Sequence, residues 1–384
     1  MRYEVPLCDG VLRMALTVRF ITHWSEFLAW KERWNRHLDA SPQRDNVMLR
    51  HEWFTVWWMT FGEGKDLWVA AVFDGDRLVG LAPLMRSARR YGMRPLRVIS
   101  FIENEHTNRA EFIVGPDEQD GVVRALWLAL QAHRTEWDLV VLDYFPDGPL
   151  SSLWLDTAAT LGYRLGRKRS YHSPYIPLTN DWDAYYGGLK GHFKRNLKNR
   201  AKRLNQLGTL TYERYPSEGR ELKPFLEELF DVGAKSWKEA DESAIASTPA
   251  LKRFYGDLAV EADRQGWLSL HVLKLDDRPV VFHYSLRYRG RLFLLKTEYD
   301  LAYATYAPGH LLQKEVIEEA YREGMTEFDF LGPSMTWKLE WTDQVRPHGQ
   351  LWSFNRGWRP TMVFAEKMVV KPWVKRLLNR QETF

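Results

Sequence analysis

Apolar and aromatic residues recur at helical spacing through 24–38, with Trp24, Phe27, Leu28, Trp34 and Leu38 on one face, and predict an amphipathic helix. Residues 51–61 predict a second helix, strongly aromatic, with Trp53, Phe54, Trp57 and Trp58. The run LWVAAVFDGDRLVGLAPLMRSARRYGMRPLRVISFI then reads as paired strands. Asp74-Gly75-Asp76 supplies a hairpin turn, since glycine tolerates the positive φ such turns need. Residues 121–132 predict a helix, DLVVLD at 138–143 a buried strand, and 153–161 a helix stopped at Gly162. Pro174 and Pro177 interrupt 171–179, which reads as a domain link. Beyond it come a basic helix over 189–207 and amphipathic helices over 222–237 and 251–265. Three strands follow, with turns at Asp276-Asp277 and Arg289-Gly290, then a helix over 309–323 and the strand EFDFLG. Residues 68–85 and 267–286 each read strand, acidic turn, strand after a helical pair, which points to a duplicated module.

Composition adds limits. A chain of 384 residues suggests two or three domains at about 150 residues each. Lys and Arg together number 54 against 50 Asp and Glu, too small an excess for a generally basic nucleic-acid binder. Cys8 is the single cysteine, which leaves no internal disulfide or cysteine-based zinc site and fits the cytosol. The opening residues are broken by Glu4, Asp9 and Arg13 and do not read as a signal peptide. No run approaches the roughly 18 apolar residues of a spanning helix, so any membrane contact is expected to be peripheral, at the inner face. The 18 tryptophans serve mainly as core, though flat rings also line apolar and sugar pockets.

The second half carries the resemblance. In order it places RLFLLKTEYD, the turn AYATYAPGH, the helix LLQKEVIEEAYREG, the strand TEFDFLG and then SMTWKLEWTD. That series resembles the C-terminal half of a GNAT acyltransferase domain. With Tyr299-Asp300, Pro308-Gly309, Gly324, Asp329-Phe330, Gly332 and Lys338 before Trp341, it is similar to the CelD/BcsL acetyltransferases, relatives of the two-module FemABX peptidyltransferases. The resemblance implies an α+β (α/β) fold of two tandem GNAT-like modules, each a mixed, mostly antiparallel sheet flanked by helices. The expected division is 1–172, then 173–355 with the acyl-CoA site, then a basic tail over 356–384. It also implies a coenzyme A thioester as co-substrate, no metal, and an amine or hydroxyl acceptor.

The residues support that reading. Pro308 pre-sets φ for a first helical turn, Gly309 leaves room for a phosphate, and the N–H groups of Gly309, His310 and Leu311 make an anion site. Tyr306 precedes them, and Lys194 and Arg195 of the basic helix KGHFKRNLKNRAKRL are the expected phosphate partners. Acyl transfer needs a base, an oxyanion partner and alignment. His283 in VVFHYSLRY and Glu298 near the end of the next strand are the expected bases, paired across adjacent strands, with Glu298 sharing a face with Lys296 and Leu294. Lys338 is the expected oxyanion partner. Tyr299, Trp337 and His106, the last in the polar loop of FIENEHTNRAEF, are expected at the acceptor. The tail MVFAEKMVVKPWVKRLLNRQ reads as an amphipathic segment, lying either on an anionic membrane or on the protein itself. The expected activity is acyl transfer to a cell-envelope component, a polysaccharide sugar or a lipid amine such as a sphingoid base. The alternatives are aminoacyl-tRNA-dependent peptidyl transfer and a non-catalytic sugar- or lipid-binding module.

Overall fold

A computed structural model of the chain describes residues 3–4, 16–92, 94–236, 244–371 and 373. The chain divides into two units, residues 1–58, 62–171 and 347–384 forming one and residues 59–61 and 172–346 the other. The first unit begins with β1 (Tyr3–Glu4) and β2 (Thr17–Ile21). The single helix predicted over 24–38 is instead two, α1 (Trp24–Ala29) and α2 (Lys31–Asp39). At Trp30 the ladder tightens to a bond with Phe27 O (2.9 Å), which turns α2 so that Trp34 and Leu38 enter the core fully.

The aromatic helix α3 (His51–Phe61) precedes β3 (Lys65–Leu67), β4 (Val69–Asp74), β5 (Arg77–Ala82), β6 (Leu84–Tyr91), β7 (Arg94–Phe101) and β8 (Ile113–Val114). Next come α4 (Gln119–Ala132), β9 (Leu139–Pro146) and α5 (Pro149–Thr160). Strands β1, β2, β4, β5 and β8 form an antiparallel sheet in that order. In a second sheet β3, β6 and β7 are antiparallel neighbours and β9 joins β7 in parallel. Helices α4 and α5 bring Trp127 and Trp154 onto Trp137 and Phe112, so the tryptophans here are core.

The segment 171–179, read above as a link, is mostly strand: β10 runs Arg164–Pro177. Its prolines sit where no donor is required. Pro174 O accepts from Phe330 N–H (3.1 Å), and the neighbouring Tyr175 and Leu178 supply the N–H groups.

The second unit continues with α6 (Trp182–Gly188), α7 (Gly191–Asn205), β11 (Leu210–Tyr215), α8 (Leu222–Gly233), α9 (Pro249–Arg264), β12 (Leu268–Leu275), β13 (Arg278–Tyr288) and β14 (Arg291–Tyr299). Then follow α10 (Pro308–Arg322), β15 (Glu327–Asp329) and α11 (Thr336–Leu339). The strand order is β11-β12-β13-β14-β15-β10, with only the β14–β15 pair parallel. Its hairpins turn on Asp276-Asp277 (φ +46° and +62°) and Arg289-Gly290 (φ +45° and +75°), the paired left-handed residues whose twist matches the strands. Apolar stripes of α7 (Phe193, Leu197, Leu204) and α10 (Leu312, Val316, Ile317) bury one face of this sheet. Helices α8 and α9 take the other, where Tyr284 hydroxyl donates to Tyr255 O of α9 (2.9 Å). The chain returns to the first unit through β16 (Val345–Phe354), antiparallel to β9, and ends its described part with α12 (Trp358–Phe364) and a π-helical turn over Ala365–Val370. Both units are thus mixed, mostly antiparallel sheets flanked by helices.

Candidate active site

Strand β14 is nine residues long, but β15 pairs with it only at Arg291↔Glu327, Leu292↔Phe328 and Phe293↔Asp329. From Leu294 to Tyr299 the described residues include no strand partner on that side. The parallel pairing thus stops after three residues, and β14 runs on beyond it to Tyr299. A bulge sits in the same stretch: Tyr284 pairs with Lys296 and Ser285 with Leu294, so Leu295 is the extra residue.

The chain leaves β14 through a 3-10 turn, Leu301–Tyr306, capped by the Asp300 carboxylate on Ala302 N–H (2.9 Å). Ala307 takes a left-handed φ of +46°, and Pro308 then opens α10 with no side-chain cap. Gly309 faces β14, since a Cβ placed there would lie 4.0 Å from Thr297 Oγ1. A helix start without a side-chain cap concentrates backbone donors at one point.

His310 belongs to this turn but is already occupied. Its amide donates to Ala307 O (3.1 Å). Trp341 Nε1–H donates to its Nδ1 (3.2 Å), while Nε2 lies 3.2 Å from Glu340 Oε2. Burial, aided by the charge of Arg200, lowers its pKa to about 4, so the ring is neutral and donates from Nε2. Leu311 and Pro308 are buried in the core and Tyr306 is half-buried.

The cations beside α10 are not the ones expected. Lys194 turns to α6, donating to Gly187 O (2.5 Å), and Arg195 points into solvent. Arg203 instead lies 5.1 Å from the Tyr306 ring, and Arg200 reaches His310 electrostatically. Both line an open hollow of about 540 Å³ with Asn196, Asn199, Lys202 and Gln206. A signal for Arg200 was present in the chain: it falls between Leu197 and Leu204 at steps of three and four, inside the buried stripe of α7.

The expected His283–Glu298 pair does not exist. His283 stands opposite Thr297 and His271, whereas Glu298 stands opposite Phe282, so the two side chains project from opposite faces of the sheet. His283 is fully buried on the face that α10 covers, in one cross-strand row with His271. There the Tyr212 hydroxyl lies 2.7 Å from His271 Nδ1 and donates to Glu319 of α10. Glu298, also fully buried, faces α8 and α9. Its Oε1 accepts Ile245 N–H (3.0 Å), and a Cβ at Gly233 would come within 2.8 Å of Oε2. The bulge also separates Leu294 from Glu298: Lys296 shares the glutamate's face, Leu294 the opposite one.

Lys338 is neither a surface lysine nor an open ammonium. It is buried in α11 and donates to Leu331 O (2.5 Å), at a residue with φ of +50° that follows β15. Asp329, completely buried, holds Leu331 N–H (2.9 Å) and pairs with Arg346 (3.0 Å). Tyr299 and Trp337 both border the core of α10, half-buried. His106 lies in the first unit with its Nε2 3.7 Å from Glu105 Oε1, and the carboxyl of Glu103, three residues earlier, is pushed up to about 7 by burial. Its loop is tied by Trp57 Nε1–H to Asn104 Oδ1 (3.1 Å). Among the described residues no group of three or more His, Cys, Asp or Glu is placed to hold a metal ion.

A parallel strand pair that stops after three residues, with an uncapped helix start beside it, is matched by sequence: residues 191–339 fit the acetyltransferase (GNAT) domain family. This stretch of the second unit is similar to GNAT acetyltransferase domains. Over most of its length the chain also resembles solved structures. FemX aligns with a TM-score of 0.57 at 13% identity, over 91% of this chain and 99% of that one. A tandem GNAT protein from the clavulanic acid biosynthesis pathway gives 0.50 at 13%, over 89% and 99%. L-PGS from Bacillus licheniformis gives 0.50 at 14%, over 88% and 96%. At these identities the likeness is one of fold. Among curated protein sequences there is no significant match.

Proposed function

We propose that the second module transfers an acyl group from a coenzyme A thioester to an amine or hydroxyl of a cell-envelope component. The observation that carries the reading is the early end of the β14–β15 pairing, with the Pro308-Gly309 helix start and Arg203 beside it. The pantetheine arm would run along β14 beyond its pairing with β15, and the helix start and arginine suit the coenzyme's phosphates. The acceptor is a sugar or a lipid amine, in keeping with the CelD/BcsL-like wording of 299–341.

Glu298 serves as the base. It lies in the part of β14 beyond the β15 pairing, opposite Phe282 of β13 and near the bulge, and faces α8 and α9. It takes a proton from the acceptor through water. The freed nitrogen or oxygen attacks the thioester carbonyl, backbone N–H groups near the end of β14 hold the oxyanion, and the C–S bond breaks as the thiolate leaves and takes the proton back from Glu298 through water. Lys338 positions the segment after β15 through Leu331 O, and His283 supports the sheet beneath α10.

Thermal-shift titration with acetyl-, octanoyl- and palmitoyl-CoA tests the donor, because a ligand of the folded state raises Tm. A shift with one of them is expected; no shift with any, together with transfer from an aminoacyl-tRNA, would replace this reading by peptidyl transfer. Glu298→Gln is expected to keep the shift and lose about 10²–10⁴-fold in kcat. Near wild-type turnover would remove Glu298 as the base.

A further inference from the structure

Beyond β16 the described residues continue as α12 and a π-helical turn, followed by Lys371 and Trp373. One side is fixed to the first unit. Val363 is buried with Phe354 and Trp352, Phe364 and Met368 pack on them, and the Lys367 ammonium lies 5.8 Å from the Tyr91 ring. The other side has no cover among the described residues. Trp358 is 65% exposed, Met362 42%, Val369 54% and Trp373 62%. Their spacing of four, seven and four residues follows helical turns, so they make one outward stripe rather than scattered exposures.

Cations border that stripe. Arg359 lies 5.4 Å from the Trp358 ring. Lys168, Lys367 and Lys371 are close enough that, after burial, mutual repulsion is what holds down the pKa values of Lys168 and Lys367. Glu366 pairs with Lys371 (3.0 Å) and also acts on Lys367. A second copy docked on the same stripe about a twofold axis would set like patch against like patch and bring lysines onto lysines. An anionic bilayer meets both needs at once: apolar side chains enter the acyl boundary, tryptophans sit at the headgroup level, and lysines meet phosphates.

We infer that the outward face of the C-terminal stretch made by α12, the π-helical turn, Lys371 and Trp373 docks the protein on an anionic phospholipid bilayer. The stretch lies in the interface plane, its inner face still packed on the first unit. No helix among the described residues is long and apolar enough to cross a membrane, so this contact is peripheral. The inference stands apart from the acyl-transfer reading, since it uses neither the start of α10 nor Glu298.

Cosedimentation of the full chain with vesicles decides it, comparing phosphatidylcholine alone with phosphatidylcholine and phosphatidylglycerol in equal parts. Binding to the mixed vesicles only, weakened by added salt, is expected. Trp358→Ser with Trp373→Ser should reduce bound protein at least tenfold, and so should Arg359→Glu with Lys371→Glu, all at exposed positions and with Tm unchanged. Retained binding in those variants would overturn the inference, because it would move the contact to another surface. No binding by the wild-type chain would overturn it too, as would a dimer in light scattering that the same variants dissociate without any vesicle binding.

Discussion

His310 and Glu103 show how burial sets opposite pH responses in one chain. His310 is held neutral, with a pKa near 4 against an ordinary 6.5, so the unfolded chain takes up its proton first as pH falls. Its contribution to stability is whole above 6.5 and is lost progressively between 6.5 and 4. At about 1.4 kcal/mol per unit, acidification from about pH 7 to about pH 5 removes roughly 2 kcal/mol through this one ring. His310→Gln keeps a donor and an acceptor without titrating, so denaturant titrations of the variant should show a slope against pH lower by about one proton over that window. An unchanged slope would mean that the ring titrates normally. Glu103 runs the other way. Its carboxyl is raised from 4.5 to about 7 by burial, with Arg89 opposing, so the folded state keeps the proton longer and stability falls as pH rises from 4.5 to 7. Glu103→Gln should therefore stabilise the protein by about 2 kcal/mol near pH 8 and change little near pH 4.5. If melting near pH 8 shows no gain, Arg89 holds the carboxylate ionised after all.

At the scale of elements, α10 separates what folding needs from what binding needs. Gly309 has room for a methyl, the nearest atom being Thr297 Oγ1 at 4.0 Å, and alanine is the better helix former. Gly309→Ala should thus leave Tm equal or slightly higher while weakening acyl-CoA binding by about tenfold or more, since the methyl stands where a phosphate would meet the backbone. Calorimetry showing undiminished affinity would place the phosphates elsewhere. The elements themselves were largely legible, because period and turn chemistry are local: the Asp276-Asp277 and Arg289-Gly290 hairpins and the stop at Gly324 all stand where the chain predicts them. Failures came where tertiary pairing outweighs local signals. Pro174 and Pro177 read as a break, yet β10 needs only their carbonyls. Period-2 counting placed Leu294 beside Glu298, but the bulge at Leu295 reverses the face, and no local composition marks it. The turn and helix of the candidate site were legible, whereas which cations of α7 lie near α10 was not. A basic run names many candidates, and only the packing of α7 on α10 selects Arg200 and Arg203.

For the whole molecule, duplication raises the question of how many donor sites it holds. The first unit repeats the decisive motif: β7 and β9 are parallel, pair only at Val98↔Leu139 and Ile99↔Val140, and have α4 between them in the chain. Parallel pairs that end early are therefore present in both modules, and by that feature alone two thioesters would bind. The helix starts decide otherwise. The turn leading into α4 carries Asp117 and Glu118, and its first turn carries Asp120. Carboxylates at a helix N-terminus satisfy the positive end of its dipole and repel another anion. The start of α10 has no acidic residue in its first turn and has Arg200 and Arg203 nearby. Isothermal titration with the thioester that shifts Tm should accordingly give a single site per chain. Arg203→Glu, at an exposed position of α7, should weaken that site by about tenfold and expose no second one, with a shallower dependence on salt because one phosphate partner is lost. Two sites of similar affinity, or binding indifferent to both Arg203→Glu and Gly309→Ala, would mean that the first module holds the donor and that the acidic start of α4 does not exclude it.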